Sequence, residues 1–122
     1  MPIVIYTLSN CDTCRQAVKW LRAQALDFVE KPIRETPPSA AEIGAMLKWQ
    51  NGEIRKLFNT AGKEYRALNL KDRLDQLTPK EATQLLSSNG NLVKRPFLVS
   101  DRVGLVGFDE KTWMEALGSR RD

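Results

Sequence analysis

The two cysteines of this 122-residue chain, Cys11 and Cys14, stand two residues apart. A Cys-x-x-Cys pair can switch between dithiol and disulfide, or it can bind a metal. Four-coordinate structural zinc needs four Cys or His ligands, and the chain has no His, so a zinc site within one chain is excluded. A zinc ion held by two cysteines from each of two chains stays open as an alternative that requires an unusual dimer. No cofactor is expected.

The elements around the pair predict a strand-to-helix junction. The apolar run 3–6 predicts a strand, residues 9–10 a turn, and the apolar spacing after Cys14 a helix over about 13–25. Trp20 and Arg22 fall off the apolar stripe and should face solvent or whichever element packs next. Free cysteines are also common as small buried residues. Two of them at this spacing and at such a junction favour redox or thiol chemistry.

The missing His also limits how a cysteine here can be activated. It excludes a Cys–His pair, a Ser–His–Asp triad and His-ligated metals. A helix N-terminus supplies unpaired N–H groups and a partial positive charge, which favour a thiolate. We therefore expect Cys11 to be the nucleophile, with its thiolate favoured by the start of the helix.

Length and composition predict one domain spanning 1–122. The chain is long enough to bury roughly two-thirds of its unfolded surface without disulfides. No apolar run approaches the ~20 residues that span a bilayer, and no targeting segment is evident, so we expect a soluble cytoplasmic protein. Cysteines are kept reduced in that compartment, which favours a catalytic or sensory pair. The net charge of +4 is spread along the chain and gives no reason to expect direct nucleic-acid binding.

The order of predicted elements is βαβ, a helical segment, then ββα. A second strand is predicted near 27–33, and capping boxes at Ser39 and Thr78 open helices within an inserted helical subdomain over 38–90. A hairpin follows, with strands at 95–99 and 103–106. Asp109 then caps a last helix that ends at Gly118, with Phe108 stapled onto Trp113. The predicted fold class is α/β, a thioredoxin-like arrangement with a small mixed sheet.

Four stretches of the sequence together resemble the arsenate reductase and Spx group, bacterial proteins of about this length. They are 6–21 with Cys-Asp-Thr-Cys-Arg, 58–66 with Phe-Asn-Thr-Ala-Gly-Lys-Glu-Tyr-Arg, 94–99 with Lys-Arg-Pro-Phe-Leu-Val, and 106–108 with Val-Gly-Phe. The resemblance covers essentially the whole chain. It implies that Cys11 is the catalytic nucleophile and that Arg95 lies beside it, where a permanent cation could stabilise the thiolate or hold an oxyanion.

The resemblance also implies roles for neighbouring residues. Pro96 would be a cis proline facing the cysteines. Arg15, next to Cys14 in the first helical turn, is a weaker candidate that could equally be solvated.

The reductases of this group use three arginines around the oxyanion, and Asn59 and Gly107 stand where two of them would be. Arsenate reduction is therefore disfavoured, because arginine forks recognise such anions. Cys14 offers an internal resolving sulfur.

Three functions remain open on this basis. The first is a thiol–disulfide oxidoreductase in which Cys11 attacks, Cys14 resolves, and glutaredoxin, thioredoxin or glutathione restores the thiols. The second is an arsenate reductase. The third is a Spx-like redox-sensing regulator that binds the RNA polymerase alpha subunit, for which Gly52 falls near the relevant region, although Asn51-Gly52 is also an ordinary helix-ending turn. The first is the leading hypothesis.

Overall fold

A computed structural model describes residues 3–118. Its centre is a four-stranded mixed sheet in the order β2-β1-β3-β4. The strands are β1 (Ile3–Thr7), β2 (Phe28–Pro32), β3 (Phe97–Val99) and β4 (Gly104–Val106). Strand β1 pairs in parallel with β2 and antiparallel with β3, and β3 pairs antiparallel with β4. This is the thioredoxin-like arrangement that the sequence predicts, with β3 shorter than the expected 95–99.

Two helices cover one face of the sheet. They are α1 (Asp12–Ala23) and α6 (Glu110–Leu117). Their buried side chains pack with Ile5 and Leu98, which point to the same face of the sheet. Burying a large apolar side chain in this way contributes about 1.5–3 kcal/mol. This core fixes the N-terminus of α1, which carries the cysteines, against the end of β1.

The other face of the sheet is covered by the segment between β2 and β3. It contains α2 (Ala40–Trp49), α3 (Lys63–Ala67), α4 (Leu70–Arg73) and α5 (Pro79–Ser88), together with short 3₁₀ turns. The capping boxes at Ser39 and Thr78 are both present, which confirms that prediction. Within residues 3–118, no helix has the length and apolar character needed to cross a membrane.

An aromatic cluster holds α1 against α6. The ring centroids of Trp20 and Trp113 are 6.1 Å apart, and those of Phe108 and Trp113 are 4.9 Å apart, both in edge-to-face geometry. The predicted staple from Phe108 to Trp113 is therefore confirmed. Trp20 is buried against the element that packs next, which was one of the two positions expected for it.

Candidate functional site

Cys11 caps the N-terminus of α1. Its sulfur accepts a hydrogen bond of 3.1 Å from the backbone N–H of Cys14, where a helix usually has a Ser, Thr, Asp or Asn oxygen. Its own backbone N–H donates to the carbonyl of Leu8 at 3.1 Å, so the turn after β1 fixes the cap. The sulfur consequently lies at the positive end of the helix dipole, which stabilises a thiolate.

The two cysteines lie in different environments. Cys11 is partly exposed, whereas Cys14 is 2% exposed, and both are free thiols. Burial raises the pKa of the Cys14 thiol to about 12, helped by its hydrogen bond and charge interaction with Cys11, while Leu8 and Arg95 act in the opposite direction. Cys14 is therefore a protonated thiol at neutral pH, beside a sulfur that solvent can reach.

Arg95 lies close enough to the pair for its charge to lower the pKa of Cys14, against the larger effect of burial. The guanidinium is half-buried, and its one hydrogen bond among the described residues is a long contact of 3.5 Å to the carbonyl of Val93. Most of its donors are thus available. The bond between Arg95 and the buried Pro96 is cis, as the resemblance implies.

Arg15 is exposed and is held at the edge of the site. Its Nη1 donates to the carbonyl of Ser9 at 2.9 Å, and its Nη2 forms an ion pair with Asp12. The side chain therefore braces the turn that leads into α1. The structure places it in the same cleft as Cys14.

No hydrogen bond within residues 3–118 joins Asn59 to either cysteine, and Asn59 does not line the cleft that contains Cys14. Its backbone N–H donates to the carbonyl of Leu92 at 2.8 Å, and its carbonyl accepts from the N–H of Gly62 at 3.1 Å.

Gly107 has a φ of +69°, a region that L side chains rarely adopt, and its N–H donates to the carbonyl of Pro96 at 2.9 Å. The backbone at 107 thus suits glycine, and an arginine there would be strained.

No metal site is evident in the part of the chain that the structure describes, because no three His, Cys, Asp or Glu residues lie close enough together. The contacts of the cysteine pair are those of a thiol site in which one sulfur is accessible and one is protected.

Two basic residues near the site were missed from sequence. Lys19 and Arg22 line a cleft that also contains Cys14 and Arg15. The signal was the spacing of the cations at 15, 19 and 22, which places them on one face of a helix. Such a row usually indicates only a solvated face, and nothing in the sequence shows the cleft.

Comparisons with known proteins agree with this geometry. The sequence model of the ArsC family matches residues 6–116. The chain is 38% identical over 115 residues to the uncharacterized protein YusI of Bacillus subtilis, covering 94% of this chain and 98% of YusI. It is 29% identical over 108 residues to the global transcriptional regulator Spx of Enterococcus faecalis, covering 88% of this chain and 80% of Spx. A crystal structure described as a possible arsenate reductase from Streptococcus mutans superposes with a TM-score of 0.85 at 37% identity, covering 98% of each chain.

Proposed function

Because the chain belongs to the ArsC family, whose model matches residues 6–116, we propose that it is a thiol–disulfide oxidoreductase. Cys11 is the attacking thiolate and Cys14 the resolving thiol. The observation that carries this proposal is the asymmetry of the pair. Cys11 is accessible and caps a helix, whereas Cys14 is buried and protonated. Nucleophilic attack needs an accessible thiolate, and a resolving thiol benefits from being unreactive until the mixed disulfide forms.

The first step is attack by the Cys11 thiolate on one sulfur of a substrate disulfide RS–SR. A Cys11–SR mixed disulfide forms, and one RS⁻ leaves with the electron pair of the broken S–S bond. The N–H of Cys14, 3.1 Å from the Cys11 sulfur, holds that thiolate at the helix N-terminus before the attack. The accessible sulfur is thus the one that meets the substrate.

The second step is attack by Cys14 on the Cys11 sulfur. The Cys14 thiol loses its proton, a Cys11–Cys14 disulfide forms, and the second R group leaves as RSH. The pair has then given two electrons to the substrate. An external thiol reductant, for which glutaredoxin, thioredoxin and glutathione are the candidates, returns the pair to the dithiol. We propose that the protein acts in the cytoplasm, where such reductants keep thiols reduced.

Neighbouring residues support these steps in the proposal. The positive charge of Arg95 favours the Cys14 thiolate during resolution. In this proposal Pro96 faces the cysteine pair, as the family resemblance implies, and Arg15 borders the cleft that Cys14 lines. Asn59 takes no part in the reaction. The strained backbone that an arginine would need at 107 weighs against oxyanion reduction.

The test is reduction of a neutral probe, hydroxyethyl disulfide, by the reduced protein without any other thiol. We expect two mercaptoethanol molecules per chain and an intact mass lower by two hydrogens, with the disulfide mapped to Cys11 and Cys14. The Cys11→Ser variant should release none. Equal release by wild type and Cys11→Ser would overturn the proposal.

A regulatory function is the second candidate, favoured by the 29% identity to the regulator Spx. The structural evidence for this function, which is the turn at Gly52, is weak. Asn51, with a φ of 60°, is the left-handed residue that closes α2, and the N–H of the following Gly52 donates to the carbonyl of Leu47 at 2.8 Å, so the pair forms an ordinary helix-ending turn. A pull-down against the C-terminal domain of the RNA polymerase alpha subunit tests this candidate. Clean retention that is lost in Gly52→Arg would place regulation first.

A further inference from the structure

A cleft of about 430 Å³ lies between α1 and strand β2, and Cys14 forms part of its wall. Leu8 and Ser9, from the turn that precedes Cys11, line its near end. Cys14 is only 2% exposed, so the cleft reaches the cysteine pair from the side of its buried sulfur. A ligand held there would lie beside Cys14, whose backbone N–H is bonded to the attacking sulfur of Cys11.

Three cationic side chains line the helix side of this cleft: Arg15, Lys19 and Arg22. Their spacing of four and three residues places them on one face of α1. At 1.5 Å per residue the row extends for about 10 Å along the helix. All three side chains are exposed and can therefore meet a ligand that enters from solvent.

The cations differ in how they are held. Arg15 is fixed by the Ser9 carbonyl and by Asp12. Arg22 lies over the ring of Phe28, with its guanidinium carbon 5.9 Å from the centroid. For Lys19, the part of the chain that the structure describes contains no carboxylate within ion-pair distance. The row thus has two positioned ends and an unneutralised centre.

The sheet side of the cleft carries one carboxylate, that of Glu30. It accepts a hydrogen bond of 2.6 Å from the hydroxyl of Thr7, which draws it towards the sheet. The cleft wall therefore has three cations and one anion, and the anion already has a hydrogen-bond donor. Asp12, which pairs with Arg15 from outside the wall, leaves three cations against two carboxylates. This imbalance favours a negatively charged ligand.

From this juxtaposition of a cationic row with Cys14 we propose that the cleft binds the carboxylates of a small anionic disulfide and thereby selects the substrate of the cysteine pair. The inference rests on the proposed function and names its substrate class. The volume falls within the range of about 300–1,000 Å³ that is usual for small-molecule sites. A dicarboxylate disulfide can place both its carboxylates along the row, with its S–S bond next to the pair. The reaction is the two-step exchange given above.

The experiment compares three small disulfides that differ in charge: dithiodipropionate is dianionic, hydroxyethyl disulfide is neutral and cystamine is dicationic. Wild type should reduce dithiodipropionate with the highest kcat/KM and cystamine with the lowest. Lys19→Glu should lower the ratio of kcat/KM for dithiodipropionate to kcat/KM for cystamine by about tenfold or more. The substitution changes the charge at this position by two units, and solvent partly screens the effect. Lys80→Glu changes the same charge on an exposed side chain of α5, outside the cleft, and should leave that ratio unchanged.

The ionic strength provides a second readout, because the Debye length falls from about 10 Å at 0.1 M to about 3 Å at 1 M. The preference of wild type for dithiodipropionate should shrink accordingly. The cleft proposal would be overturned if the ratio of kcat/KM for dithiodipropionate to that for cystamine were the same in wild type and Lys19→Glu, or if Lys80→Glu changed this ratio as much as Lys19→Glu does. Reduction of hydroxyethyl disulfide would in that case still support the proposed function. Failure of wild type to reduce any of the three disulfides would overturn both.

Discussion

The backbone N–H of Cys14 donates a hydrogen bond of 3.1 Å to the sulfur of Cys11. The buried cysteine therefore helps to hold the exposed one as the acceptor at the start of α1. Burial, and after it the side-chain hydrogen bond between the Cys14 thiol and Cys11, raises the pKa of Cys14 to about 12. One short turn of helix thus gives two chemically identical residues different reactivities.

The division of roles can be tested by replacing each cysteine. Cys14→Ser keeps the attacking sulfur but has no thiol with which to resolve, so it should accumulate a stable mixed disulfide with hydroxyethyl disulfide. Cys11→Ser should form no adduct, because Cys14 is buried and protonated. Intact-mass spectrometry after acid quenching measures both. An adduct on Cys14 in the Cys11→Ser variant at a rate similar to that of Cys14→Ser would contradict the assignment.

The resolving step should be steeply dependent on pH. Burial, the largest cause of the raised pKa of Cys14, remains when Cys11 is in a mixed disulfide. A raised pKa leaves the thiol protonated at neutral pH, so the thiolate fraction grows as the pH rises. The resolution rate should increase about tenfold per pH unit from about pH 6 to about pH 9.

The rate is measured on a mixed disulfide between Cys11 and thionitrobenzoate, because attack by Cys14 releases the coloured thionitrobenzoate, which stopped-flow absorbance follows. The same mixed disulfide on the Cys14→Ser variant is the control and should release no thionitrobenzoate. A rate that is flat over this range would mean that Cys14 is already a thiolate at neutral pH, in conflict with its buried environment.

Arg95 should act mainly on resolution. Its charge lowers the pKa of Cys14, so Arg95→Gln removes that effect and should slow the resolving step roughly three- to tenfold, with more mixed disulfide present at steady state. Arg102→Gln, in the exposed turn between β3 and β4, is the matched control and should behave as wild type. Unchanged resolution in Arg95→Gln would show that the arginine has no role in this step.

Arsenate should be a poor substrate. Only Arg95 remains of the three arginines that the resemblance associates with oxyanion binding, and the φ of +69° at Gly107 disfavours any side chain there. Turnover of arsenate, supplied with either glutaredoxin or thioredoxin, should be absent or far slower than reduction of hydroxyethyl disulfide. Turnover of arsenate as fast as that of the disulfide would place the reductase function first.

Helix starts could be predicted from sequence because they depend on local chemistry. Ser39 and Thr78 each bond the backbone N–H three residues on, and the returning Glu42 and Glu81 complete both boxes as expected. The start of α1 followed in the same way from the turn before Cys11. These contacts lie within four residues of one another, and a single sequence contains all the information they require.

The short helices α3 and α4 could not be predicted. Five- and four-residue helices are too short to show a 3.6-residue period, and Asn69, with a φ of 53°, separates them. They are stabilised by burial of Tyr65 and Leu70 in the core that these helices share with one face of the sheet. The position of Trp20 likewise depended on α6, about 90 residues further along the chain, and periodicity within α1 could not decide between solvent and packing.

The site was predictable in part. The cysteine pair and the helix that positions it follow from spacing, whereas the approach of Arg95 to Cys14 depends on the pairing of β1 with β3 and came only from the family resemblance. The cleft was missed altogether, because Glu30 lines it from β2 and the other lining residues come from α1 and the turn before it, which meet β2 only in the folded protein.

The central claim is that Cys11 is an activated nucleophile and Cys14 is not. Alkylation of the reduced protein with iodoacetamide across pH, read by peptide mass spectrometry, tests this most directly. We expect Cys11 to be modified at pH 6 to 7 about tenfold or more faster than a free cysteine, whose thiol has a pKa of about 8.5, while Cys14 stays unmodified. Modification of Cys11 no faster than that of a free thiol, or equal modification of both cysteines, would contradict the account.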